Sequence, residues 1–139
     1  MKRTLLVLVT ALGLLAVGCG GSGDSDQMPV ASASLDGSTF TATGAEGLTL
    51  DERVPLTISF DQGTVAVDAG CNSIGGGYEI EDGEIRGTKL VSTLMGCPPP
   101  LGEIETKTTR TLSDGAMATL EGDTLTLTGE DGIELTLER

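Results

Sequence analysis

The 139-residue chain has no histidine and no tryptophan, and its only aromatic residues are two phenylalanines and one tyrosine. Without histidine it lacks the side chain that most often works as a general base near neutral pH, so acid–base chemistry would fall to carboxylates. A structural zinc site usually draws four ligands from Cys and His. Three cysteines and no histidine do not supply them, so neither a metal nor a cofactor is expected. Positive charge is scarce as well, with 8 Lys and Arg against 21 Asp and Glu and a formal charge of −13. Nucleic acid is therefore excluded as a partner, because neutralising phosphates takes clustered Lys and Arg. Anionic headgroups would repel such a surface, which suits either solubility or a cationic partner.

Only one long apolar run is present, Leu5 to Val17, interrupted at Thr10 and Gly13. It is shorter than the about 20 residues needed to span a bilayer, and Lys2 and Arg3 precede it, so it reads as the core of an export signal. The tetrad Ala16-Val17-Gly18-Cys19 follows. It resembles a lipobox, which implies cleavage before Cys19 and attachment of lipid to that cysteine, although Ala16 stands where leucine is usual. An ordinary signal peptide with an incidental cysteine is the competing reading. Loss of Lys2 and Arg3 with the signal would leave the mature chain two charges more negative. Gly20 to Gln27 is small, polar or acidic and cannot bury enough surface to fold. About 14 residues of such chain reach roughly 20 Å, enough to hold a domain clear of a bilayer. The expected organisation is a signal at 1–18, a lipidated cysteine and tether at 19–33, and one domain at 34–139, starting somewhere between Ser34 and Phe40.

That domain has few large apolar residues, and small domains with thin cores often rely on a covalent staple. Cys71 and Cys97 remain once Cys19 carries lipid. An even pair in an exported domain is most simply a disulfide, whereas a redox pair would commonly be spaced Cys-x-x-Cys. Closing a loop of 26 residues would stabilise the fold by roughly 3.5 kcal/mol in the chain-entropy model.

Alternation of apolar and polar residues predicts strands around Ser38–Thr43, at Leu56–Phe60, Thr64–Val67, Tyr78–Ile80, Glu84–Arg86 and Lys89–Leu94. Three more follow at Ala118–Leu120, Leu125–Leu127 and Ile133–Leu137. Asp61-Gln62-Gly63, Asp82-Gly83, Gly122-Asp123 and Glu130-Asp131-Gly132 mark the turns between neighbours. One segment breaks the period of two. Leu101, Ile104, Thr108 and Leu112 fall at helical spacing after Pro98-Pro99-Pro100 and before Asp114-Gly115, which suit a helix start and end. Glu103 and Glu105 near its start and Arg110 towards its end agree with the helix dipole. The fold class expected is α+β, mostly β: a small antiparallel, barrel-like sheet with one helix packed on it.

Gly70-Cys71-Asn72, Gly75-Gly76-Gly77-Tyr78 and Thr93-Leu94-Met95-Gly96-Cys97 occur in that order, followed by Glu105, Leu112 and Leu125-Thr126-Leu127. This set resembles the META domain, the HslJ-like family of exported bacterial proteins, and spans nearly the whole folded part. Phe40 stands where the family typically has a tryptophan in its first strand. The resemblance implies a compact β-barrel-like sheet with a packed helix, frequent membrane or secreted location, and links in some members to heat response, novobiocin resistance, or secretion and virulence. No enzymatic activity defines the family. Gly70 and Asn72 are turn-forming residue types, Gly77 belongs to a stretch suited to close backbone approach or a bulge, and Met95 stands beside Cys97; these motif residues read as structural.

The expectation for function is a membrane-anchored lipoprotein, outside the cytoplasm on a cell or outer membrane, whose domain is a non-catalytic binding or envelope-maintenance module. Its partner is an unidentified envelope protein or small molecule. Met95, Gly96, Pro98, Pro99 and Pro100 form a candidate recognition loop, since prolines reduce the entropy lost on binding; the alternative is that these prolines only end a strand and start the helix. A different possibility is an acidic inhibitor that sequesters a cationic extracellular enzyme. No catalytic residue is assigned. Glu79, Glu81, Asp82 and Glu84 cluster on one hairpin but read as a solvated edge. In a bacterial host fed labelled palmitate, the full chain is expected to take up label and sediment with membranes. The Cys19→Ser variant is expected to do neither, and a labelled variant would contradict lipid attachment there.

Overall fold

The computed structural model describes residues 30–139; the segment expected to be an export signal, Cys19 and the expected tether as far as residue 29 lie outside the described residues. Eight strands follow one another as β1 (Ser38–Glu46), β2 (Thr57–Asp61), β3 (Thr64–Asp68), β4 (Ser73–Glu81), β5 (Glu84–Ser92), β6 (Ala116–Glu121), β7 (Thr124–Gly129) and β8 (Glu134–Glu138). Each pairs antiparallel with the next, and β8 returns to pair with β1, closing a barrel. Helix α2 (Leu101–Asp114) is inserted between β5 and β6, and a single turn, α1 (Ser32–Leu35), precedes β1.

Alternation does what the sequence promised. Along β3, Val65 and Val67 are buried while Thr64, Ala66 and Asp68 are exposed, and β8 repeats the pattern with Leu135 and Leu137 inward. The interior is filled by side chains, as eight strands allow. At its centre Phe40, Phe60 and Tyr78 meet edge to face, with ring centroids 6.1 and 5.1 Å apart. Such contacts add about 1 kcal/mol each beyond burial, so all three aromatic residues serve the core. Burial, with the nearby charge of Asp36, raises the Tyr78 phenol pKa above its ordinary value.

Two expectations need correction. Arg86 and Lys89 do not belong to separate strands: β5 runs unbroken from Glu84 to Ser92, so that Leu94 falls beyond its end. A register shift against Gly75 and Gly77 of β4 bends it, with Lys89 at φ +52°, and this bulge is what broke the alternation. A Cβ on Gly76 would stand 2.8 Å from the carbonyl oxygens of both Thr88 and Lys89, so the bulge requires glycine there. The folded body also begins earlier than Ser34. Val30 and Leu35 are buried in the core, and Arg139 ties α1 to the end of the chain by donating to the Ser34 carbonyl and Ser38 hydroxyl.

The barrel has one incomplete seam. β5 and β6 share only Glu84↔Met117 and Ile85↔Ala116; the rest of β5 turns away, and α2 packs against it and against β3 and β7. Ile104, Thr108 and Leu112 enter the core from the helix. Pro98 and Pro100 carbonyls accept the Leu101, Glu103 and Ile104 amides, so the prolines do start the helix. Thr108 is fully buried and its hydroxyl has no hydrogen-bond partner. A buried unpaired hydroxyl costs about 1–3 kcal/mol. Thr108→Val keeps the shape and removes that cost, so a gain of about 1 kcal/mol in urea unfolding is expected, checked by a higher midpoint at unchanged m-value.

Candidate functional site

The loop from β3 to β4, the loop after β5 and the first turns of α2 converge at one end of the seam. Gly70 turns the first of these at φ +83°, where a Cβ would also strike Val54. The turn brings Cys71 to Cys97, and the two form a disulfide with Cα atoms 5.9 Å apart. Asn72, expected to serve a backbone turn, instead ties the second loop down. Its Oδ1 accepts from the Met95 amide at 2.7 Å and the Thr93 hydroxyl at 2.9 Å. Its Nδ2 lies within donating distance of the Met95 carbonyl, the Cys97 sulfur and Glu105 Oε2.

Glu105 was read as a charge suited to the helix start and as part of the family resemblance, and its burial was missed. It is 5% exposed, and it is the only acidic or basic residue buried among the described residues. Its Oε2 accepts the Asn72 amide at 3.2 Å and lies 2.9 Å from Cys97 Sγ. A buried carboxylate needs donors to be tolerable, and Asn72 supplies them; the disulfide sulfur has no proton to give. The sequence did hold a signal: Leu101, Glu105, Thr108 and Leu112 stand at i, i+4, i+7 and i+11, so a carboxylate sits on the inward stripe.

Between the end of β5 and the outer flank of α2 lies a groove of about 590 Å³, reaching inward to Ile74. Leu94, Met95 and Cys97 form one wall, Thr106, Thr109 and Arg110 the other, and Asn72 and Glu105 contribute polar atoms. Its size matches ligand sites, which are usually apolar with a few convergent polar groups. Leu94 is 97% exposed and Met95 60%, while Val91 stands 72% exposed on the same strand end. Of the candidate recognition loop, Met95 reaches this groove; Gly96 and Pro98, Pro99 and Pro100 do not line it. Gly77 lies away from the groove in β4, where an added Cβ would meet the Thr88 hydroxyl at 2.6 Å, in keeping with a structural role. Glu79, Glu81, Asp82 and Glu84 line a separate, smaller hollow at the β4–β5 hairpin, together with Arg86 and Met117.

The described residues form a closed eight-stranded antiparallel barrel domain with α2 packed in its seam and a disulfide just before that helix. The chain belongs to the META domain family, whose model matches residues 33–139. It is 30% identical over 119 residues to "Heat shock protein HslJ" of Escherichia coli (strain K12), covering 84% of this chain and 83% of that protein. A solution NMR structure with a TM-score of 0.67 is 27% identical and covers 78% of this chain and 94% of its own. A second, from Burkholderia xenovorans, also has a TM-score of 0.67 and covers 100% and 98%; at 19% identity it shows the shared fold alone.

The Cys71–Cys97 bond joins the β3–β4 loop to the segment that launches α2. Replacing both cysteines by serine is expected to lower stability by about 3 kcal/mol and the melting temperature by roughly 15 °C. Calorimetry on the double variant checks this, and an unchanged melting temperature would show that the staple stabilises nothing.

Proposed function

We propose that this chain is an exported lipoprotein, anchored through Cys19 with its META domain outside the cytoplasm. The domain is a non-catalytic binding module that takes an envelope protein or small molecule in the groove between β5 and α2. Two large apolar side chains left in water at the mouth of that groove, Leu94 and Met95, carry the reading. Exposed apolar surface beside a concave, partly polar site is what recognition needs and what a purely structural barrel has no reason to keep. Support for the anchor comes from Lys2, Arg3, the apolar run to Val17 and the Gly18-Cys19 junction. A histidine-free chain favours binding over catalysis, and the name of the Escherichia coli relative favours a part in the response to stress.

A second reading has its own observation. Glu79, Glu81, Asp82 and Glu84 gather on one hairpin, which suits capture of a cationic extracellular enzyme. That mode would depend on charge and weaken above about 0.5 M salt, where screening shortens to a few ångströms.

Capture from a solubilised envelope by the chain lacking its signal separates the two. Binding through the groove predicts a partner that survives high salt and is lost, at unchanged melting temperature, with Leu94→Asp. A partner unaffected by Leu94→Asp but released by salt would move the site to the acidic hairpin.

A further inference from the structure

Cys71 Sγ, Cys97 Sγ and a Glu105 carboxylate oxygen all lie within 4.8 Å of one another. Three strands of evidence make this more than a staple with a neighbour. The carboxylate is buried and, among the described residues, enters no salt bridge. Asn72 already supplies the outer support that bound metal ions require, with its amide on Glu105 and its Nδ2 3.0 Å from the Cys97 sulfur. Cys97 and Glu105 also line the groove, so an ion held there would have an entry path and a free coordination position.

We propose that, once the disulfide is opened, Cys71, Cys97 and Glu105 bind one soft divalent cation of the zinc type, with its fourth position facing the groove. A dithiol reductant gives the bond two electrons and two protons and becomes a cyclic disulfide; the two thiols then lose those protons as they bind the ion as thiolates. Cα atoms 5.9 Å apart leave room for the two sulfurs to part to about 3.8 Å, the spacing set by Zn–S bonds of about 2.3 Å in tetrahedral geometry. Two sulfur ligands select zinc or cadmium over magnesium or calcium. The oxidised domain has no thiolate to offer, so the bond acts as a gate: the same three residues are a staple in one redox state and a metal site in the other. In the reduced state the ion restores the link between the β3–β4 loop and α2 that the bond had supplied. The proposal is independent of what the groove otherwise binds.

The test uses the full chain with Cys19→Ser, so that no third thiol intervenes, reduced by dithiothreitol, freed of reductant without oxygen, and titrated with Zn²⁺ against a chromophoric chelator. One equivalent is expected to bind the reduced chain and none the oxidised chain. Cd²⁺ should give a thiolate charge-transfer band, and Zn²⁺ should raise the melting temperature of the reduced chain only. Glu105→Gln is expected to weaken Zn²⁺ binding at least tenfold while the circular dichroism spectrum of the barrel persists. Equal affinity in Glu105→Gln would mean that the thiols bind by themselves, and would overturn the proposal. So would a folded reduced chain that binds no Zn²⁺, or binding accompanied by loss of the barrel spectrum.

Discussion

The barrel depends on what fills the gap between β5 and β6. Only two residue pairs hold the barrel closed there, and a strand that turns away leaves backbone groups without partners. Helix α2 covers the opening, yet it is a poor helix by its own composition. Thr106, Thr108, Thr109 and Thr111 lie in its middle, and threonine loses side-chain freedom there. Tertiary attachment must therefore hold it. The attachments are distributed along its length: the disulfide and the Glu105–Asn72 contacts at its start, Lys107 donating to the Gly47 carbonyl at 3.0 Å, and the Thr111 hydroxyl meeting Asp131 at 3.4 Å.

The same arrangement decides where a site can be. With its interior occupied by Phe40, Phe60, Tyr78 and the inward Leu, Ile and Val residues, the barrel has no room for a ligand in its lumen. Concavity of useful size appears where regular pairing fails, and the groove lies along that seam. The cross-links that stop α2 from leaving also fix the two walls of the groove, so stability and site geometry share one set of contacts. A wall positioned by Asn72 and Cys97 is preorganised, which reduces the entropy lost when something binds.

Much of this was legible before any coordinates. Asp82 and Gly83 both have positive φ, as a tight hairpin requires, and the helix spans the residues between the prolines and Gly115. The pairing of Cys71 with Cys97 was expected from the even pair left once Cys19 is set aside, and the bond is present. Other features depend on contacts that a linear pattern does not carry. The β4–β5 bulge made one strand look like two, because Gly76 and Lys89 shift the faces of their neighbours. Leu94 was expected to end a strand, whereas it falls in the loop after β5 and stands in water. Glu105 was visible on the inward stripe of α2, but its partner Asn72 lies 33 residues away, and nothing local joins them.

Hydrogen exchange on the oxidised and reduced forms measures the dependence of the seam on its cross-links most directly. The account predicts that reduction, without added metal, lowers protection chiefly in α2 and in the second half of β5, while β1, β2, β7 and β8 keep theirs. An equal loss in every strand, or no change in α2, would contradict the claim that this helix is held in the seam by the bond at its start.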